Sequence, residues 1–124
     1  MIDMIANEVI DVRSRFTRLC YMKAADFEAF RQVHVTYFRN WGVKMEAFLK
    51  QRGTLWACTD SISYADFLLF ELLSQHVLLE SSMLDEFPLL AAYKARFEAL
   101  EFMRAFMKKP AFSLPLNNKT ATFR

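Results

Sequence analysis

The chain has 124 residues, of which 54% are hydrophobic and 15% aromatic, including 13 phenylalanines. A chain of this length and composition can bury a sizeable core, which excludes intrinsic disorder. The net charge of +2, from 16 basic and 14 acidic residues, favours neither nucleic acid nor a membrane surface as a partner. Because Glu71 and Glu80 interrupt the richest apolar run, we expect no membrane-spanning helix.

Chain breakers are scarce, since the sequence holds only 2 glycines and 3 prolines. This scarcity favours long helices over a turn-rich β fold. The first eleven residues lack the basic, apolar and cleavage segments of a secretory signal, and two cysteines, Cys20 and Cys58, are too few for a disulfide framework. We therefore expect a cytoplasmic, all-α bundle of about five helices that forms one domain over residues 1–124.

The first helix is predicted over about residues 2–22. Apolar side chains recur there at alternating steps of three and four, which is typical of an amphipathic helix. This predicted buried stripe comprises Ile2, Ile5, Val9, Val12, Phe16 and Leu19.

A second, semi-polar row follows the same helix through Asp11, Ser14, Thr17 and Tyr21. It can be a solvated face, supported by an ion pair between Asp11 and Arg15 at i,i+4. It can also be a binding face, on which the carboxylate holds an ammonium group and the phenol donates a hydrogen bond to developing negative charge.

The second helix is predicted over about residues 26–51, with Asp26 as its N-cap and Gly53 as its C-cap. Gly42 in its interior indicates a bend or close helix packing. The predicted core stripe of this helix comprises Phe27, Phe30, His34, Tyr37, Trp41, Met45 and Phe48. On such a stripe, we interpret His34 as a core histidine and not as a metal ligand. The connector over residues 53–61 is expected to pack down through Leu55 and Trp56.

The third helix is predicted to begin at a capping box formed by Ser63 and Asp66, and to end near Val77. Pro88 suits the first turn of a fourth helix, where its missing N–H costs nothing. A short fifth helix is predicted over about residues 101–108, and an irregular tail over about 110–124 is expected to wrap back over the domain.

Motifs for catalysis or cofactor binding are not apparent from the residues alone. The two histidines and two cysteines are not at metal-ligand spacing, and the glycines form no phosphate-binding loop. We therefore expect no metal ion and no cofactor.

Several segments together resemble the C-terminal helical domain of the cytosolic glutathione transferases in the alpha, mu, pi and sigma group, which detoxify electrophiles. The capping-box segment Ile62-Ser63-Tyr64-Ala65-Asp66-Phe67 and the ungapped stretch from Ile2 to Tyr21 carry the family resemblance. Residues 84–93 and Leu114-Pro115-Leu116-Asn117 are most similar to the pi class, and residues 97–101 and 105–108 to the mu class.

The resemblance implies roles for residues on the first helix and in the tail. Asp11 matches the aspartate that reaches the α-amino group of the glutathione bound by the partner subunit. Tyr21 matches a tyrosine that lines the electrophile pocket and donates a hydrogen bond to some substrates. Ile10 and Thr17 match positions in the pocket wall. The tail residues implied to close the pocket are Asn117, Asn118 and Phe123.

The same resemblance implies that the chain lacks the N-terminal half of these enzymes. In these enzymes the groups that stabilise the glutathione thiolate lie on a thioredoxin-like N-terminal domain, and no such pattern precedes Met1. We therefore expect that the chain does not conjugate glutathione by itself, and that glutathione is a co-substrate only where that domain is supplied. Met4, Ile5 and Glu8 would line a socket at the dimer interface, where the charge of Glu8 would weaken a standard dimer.

The expected partner is a second copy of the chain, or another protein that covers the apolar face. The alternative to an electrophile-site and dimer-surface domain is a non-catalytic protein-interaction or scaffold module within a larger assembly. A third possibility is a non-catalytic domain that binds apolar small molecules.

Overall fold

The computed structural model describes residues 1–123, and within that range the protein is all-α. The helices are α1 (Ile2–Cys20), α2 (Ala24–Arg52), α3 (Tyr64–Leu79), α4 (Pro88–Glu98) and α5 (Glu101–Met107), followed by a 3₁₀ turn over Pro110–Ser113. No strand occurs in this described part, so the prediction of an all-α bundle of about five helices is confirmed. Within residues 1–123, none of the helices combines the length and apolarity that crossing a membrane requires.

Helix α1 packs most extensively against α3 and also lies along α2. The predicted stripe is confirmed, because Ile5, Val9, Val12, Phe16 and Leu19 are buried in the core and Ile2 packs against it. Burial of such side chains is the main favourable term in folding, at about 25 cal/mol for each Å² of apolar surface removed from water. The opposite face of α1 is therefore held at the surface.

The predicted core stripe of α2 is partly wrong. Phe30 is 49% exposed, whereas Val35 and Phe38, which the stripe omitted, are buried. The buried face lies further round the helix because α2 contacts α1 on one flank and α4 on the other. Phe38 thereby reaches α3, where its ring stacks on His76 with a centroid distance of 4.1 Å.

Helix α2 also begins earlier than predicted. Lys23 occupies the N-cap position, and Asp26 lies in the first turn and is not the cap. The two alanines before Asp26 are strong helix formers, and they extend the helix toward its start. At the other end, Gly53 adopts φ 61 in the left-handed region and caps the helix as predicted.

Gly42 marks a point of close packing. A Cβ atom at Gly42 would lie 2.7 Å from Cζ of Phe87, so only glycine lets this ring reach α2. One turn further along, the Glu46 carboxylate accepts hydrogen bonds from the backbone N–H groups of Leu89 (2.6 Å) and Leu90 (2.9 Å). These are first-turn donors of α4, which begins at Pro88 as predicted.

The capping box at the start of α3 is confirmed, with both reciprocal contacts between Ser63 and Asp66 present. Asp66 is fully buried. Its carboxylate accepts hydrogen bonds from the N–H of Ser63 (2.8 Å), the N–H of Ala57 (2.9 Å) and the hydroxyl of Tyr93 (2.7 Å). These donors replace the water that a buried carboxylate loses, and burial beside this charge raises the pKa of Tyr93 well above its usual range.

Only one of the two side chains predicted to anchor the connector before α3 is buried. Trp56 is buried, whereas Leu55 is 49% exposed. The backbone of Leu55 is held by polar partners, because its N–H donates to the Asp60 carboxylate and its carbonyl accepts from the Arg96 guanidinium. Leu55 is therefore held in place through its main chain, without burial of its side chain.

Candidate functional site

The face of α1 opposite the core carries the residues that the sequence marked as a binding surface. Ile10, Asp11, Thr17 and Tyr21 are all exposed, with Ile10 at 45% and Tyr21 at 41%. The helical repeat places them there because the neighbouring Val9 and Val12 take the core side. A surface this open can form one wall of a pocket.

The tail returns to the end of α1, as predicted. The backbone N–H groups of Thr122 and Phe123 donate hydrogen bonds to the carbonyl of Cys20, at 2.8 and 3.1 Å. The side-chain amide of Asn117 donates to the carbonyl of Phe123 at 2.8 Å, which closes the tail on itself. Phe123 packs against the core, and its ring lies parallel to that of Phe27 at a centroid distance of 6.3 Å.

Tyr21 and Asn118 are in direct contact, although 97 residues separate them in sequence. The backbone N–H of Asn118 donates a hydrogen bond of 3.1 Å to the Tyr21 hydroxyl. A phenol that accepts a hydrogen bond keeps its own proton for donation. The contact therefore holds the phenol in place and leaves it able to donate to a ligand.

The predicted ion pair between Asp11 and Arg15 is wrong. The Arg15 guanidinium lies over the ring of Tyr37 instead, 3.9 Å from its centroid. An arginine on an aromatic face keeps both its charge and its apolar contact, whereas an exposed ion pair contributes little. Asp11 and Tyr21 are ten residues apart on α1, so roughly 15 Å separates them along the axis. They therefore cannot act on one small reacting centre.

Of the three socket residues, two lie at the surface. Met4 is 53% exposed and Glu8 is exposed, but Ile5 is 3% exposed and belongs to the core beneath them. The surface at this position therefore consists of one flexible apolar side chain and one carboxylate.

A buried histidine pair lies behind this face and was not anticipated from sequence. The Nε2 atoms of His34 and His76 are 2.9 Å apart, and Nδ1 of His76 lies 2.8 Å from the carbonyl oxygen of Leu72. A carbonyl only accepts, so His76 donates through Nδ1 and accepts at Nε2 from the Nε2–H of His34. Both rings are neutral at pH 7, because burial lowers the pKa of His34 to about 4 and that of His76 to about 3.

Both cysteine side chains are buried. Cys20 and Cys58 are free thiols, and burial raises the pKa of each. A protonated, buried thiol is a poor nucleophile and a poor metal ligand. Across residues 1–123, no group of three or more His, Cys, Asp or Glu side chains is placed to hold a metal ion. Within the described residues, the two thiols therefore offer neither a reactive nucleophile nor a metal site.

Comparison with known proteins identifies this arrangement of helices. Residues 10–110 match the family model described as glutathione S-transferase, C-terminal domain. Among curated relatives, glutathione S-transferase Mu 3 of Macaca fuscata fuscata is 34% identical over 121 residues, which cover 97% of this chain and 52% of the relative. The chain thus spans about half the length of the curated relatives it matches.

Solved structures agree with the sequence comparison. The pi-class glutathione S-transferase of Onchocerca volvulus superposes with a TM-score of 0.83 at 31% identity, over 97% of this chain and 58% of that one. The glutathione S-transferase Blo t 8 superposes with a TM-score of 0.89 at 25% identity, over 97% of this chain and 57% of that one. The chain therefore belongs to the family of glutathione S-transferase C-terminal domains, close to the mu and pi classes.

Proposed function

We propose that the chain supplies the electrophile-binding wall and a dimer surface of a mu- or pi-like glutathione transferase, and that these 124 residues do not conjugate glutathione by themselves. The observation that carries the proposal is the contact between Tyr21 and the tail. It fixes a phenol with an available proton one helical turn from the exposed side chain of Thr17, and Ile10 lies about two turns further back on the same helix.

The proposed pocket combines apolar and polar contacts. Ile10 and the methyl group of Thr17 contact the apolar body of the electrophile, since the Thr17 hydroxyl is already bonded to the carbonyl of Arg13 at 3.0 Å. Tyr21 donates a hydrogen bond to negative charge that develops on the electrophile during attack. Asn117 and Asn118 hold the tail segment that closes this end of the pocket.

Asp11 has a separate role in this proposal. Its exposed carboxylate binds the α-amino group of the glutathione held by the partner subunit, roughly 15 Å from the phenol along the helix. The dimer then forms through α1 and α2 around Met4 and Glu8, in the cytosol. Burying an unpaired carboxylate at Glu8 costs free energy, so we expect this dimer to be weaker than one with an apolar residue there.

In this proposal, glutathione is activated by groups that lie outside these 124 residues. The nucleophile is the thiolate, and lowering a thiol pKa requires hydrogen-bond donors or positive charge directed at the sulfur. By family resemblance, a thioredoxin-like domain supplies those groups and the glutathione site. In this proposal glutathione is a co-substrate of the combined protein, and the chain needs no metal ion.

The first test is a conjugation assay on the purified 124-residue chain, with glutathione and chlorodinitrobenzene. We expect the uncatalysed rate. Conjugation above that rate would overturn the proposal that the chain is inactive alone.

The second test supplies the missing step by fusing the thioredoxin-like half of a mu-class relative in front of Met1. With electrophiles that gain negative charge, we expect Tyr21→Phe to lower kcat roughly tenfold or more, because a hydrogen bond to a charge contributes about 1.5–3 kcal/mol. We expect Asp11→Asn to raise the KM for glutathione with little change in kcat, since that contact binds ground state and transition state alike.

Tyr37→Phe is the matched control, because it removes a phenol hydroxyl from α2 and keeps the ring on which Arg15 lies. Equal losses in the Tyr21 and Tyr37 variants would contradict the proposed role of Tyr21.

A second candidate, a protein-interaction module, is favoured by the apolar side chains at the surface of α1 and α2. Met4, Phe30, Val33 and Val43 are each about half exposed or more, at 53%, 49%, 60% and 61%. A contiguous group of such residues marks a surface that a partner covers, and Phe30 and Val33 lie side by side. Sedimentation of the chain at several concentrations tests this candidate, and a monodisperse monomer that recovers no partner from lysate would count against it.

A further inference from the structure

We draw no further inference here: the strongest candidate, the row of half-exposed phenylalanines formed by Phe67 on α3, Phe102 and Phe106 on α5 and Phe112 in the 3₁₀ turn, carries none, because nothing in the structure shows what covers this apolar face.

Discussion

At the scale of single residues, buried polar groups are placed by partners far away in sequence. Asp66 accepts hydrogen bonds from a connector, from its own cap and from α4, and one donor from each lies within 2.9 Å. The His34–His76 pair likewise joins α2 to α3 across 42 residues. Each of these groups would cost free energy if its partner were removed, because water cannot replace that partner.

The histidine pair predicts a loss of stability in acid. Both imidazoles stay neutral in the folded protein down to about pH 4 and pH 3, whereas in the unfolded chain they take up protons below about pH 6.5. The unfolded state then binds more protons, so the free energy of unfolding falls as pH decreases below 6.5. The slope approaches about 1.4 kcal/mol per pH unit for each histidine. Urea unfolding at a series of pH values measures it.

His34→Gln tests the assignment of this slope. Glutamine keeps an N–H donor for His76 but does not titrate, so the variant should lose stability less steeply between pH 6 and pH 4. The carboxylates contribute equally to both proteins and cancel in the comparison. Parallel curves for the two proteins would contradict the prediction.

At the scale of elements, α4 is positioned by α2. The Phe87 ring lies against Gly42, and the Glu46 carboxylate caps the first turn of α4. A carboxylate near a helix N-terminus also interacts favourably with the helix dipole. The direction in which α4 leaves the loop is therefore set by side chains of α2, in addition to Pro88.

Gly42→Ala should destabilise the protein, although alanine is the better helix former. The added methyl group would lie 2.7 Å from the buried Phe87 ring. Overpacking of this kind costs typically 1–3 kcal/mol, against a gain of about 1 kcal/mol in helix propensity. We expect a net loss of about 1 kcal/mol, measured by thermal or urea unfolding.

The companion variant Phe87→Leu removes the clashing ring. In that background Gly42→Ala should be neutral or stabilising, which gives a coupling energy between the two positions. An equal loss in both backgrounds would show that the ring is not the cause.

At the scale of the whole molecule, the C-terminal tail is hydrogen-bonded to the end of the first helix. It bonds to the carbonyl of Cys20 and to the hydroxyl of Tyr21, so the end of α1 is covered by residues about one hundred positions later. The tail therefore covers the C-terminal end of the exposed face of α1. Segments fastened by few hydrogen bonds open more readily than the core.

Truncation after Leu114 should expose Cys20, whose side chain is fully buried beneath the tail. In a Cys58→Ser background, we expect a disulfide reagent to modify Cys20 at least tenfold faster in the truncated chain than in the full one. Unchanged reactivity would mean that the tail does not cover this thiol. Circular dichroism of both proteins serves as the folding control.

Most of the fold can be predicted from the sequence, because it depends on local information. Helical periodicity defined α1, the Ser63–Asp66 pair defined the start of α3, and Pro88 defined the start of α4. These signals act over three or four residues, the distance that separates neighbours on a helix. The same local motifs were sufficient for the resemblance to the glutathione transferases. For the candidate site, periodicity placed Asp11 and Tyr21 on one exposed face.

The tertiary structure alone decided which side chains meet across the helices. It buried Phe38 and left Phe30 exposed, it paired His34 with His76, and it directed Arg15 to Tyr37 and away from Asp11. Each outcome depends on how far a helix is rotated about its axis when it packs. That rotation is a compromise among all the contacts of the helix, and no short stretch of sequence contains it.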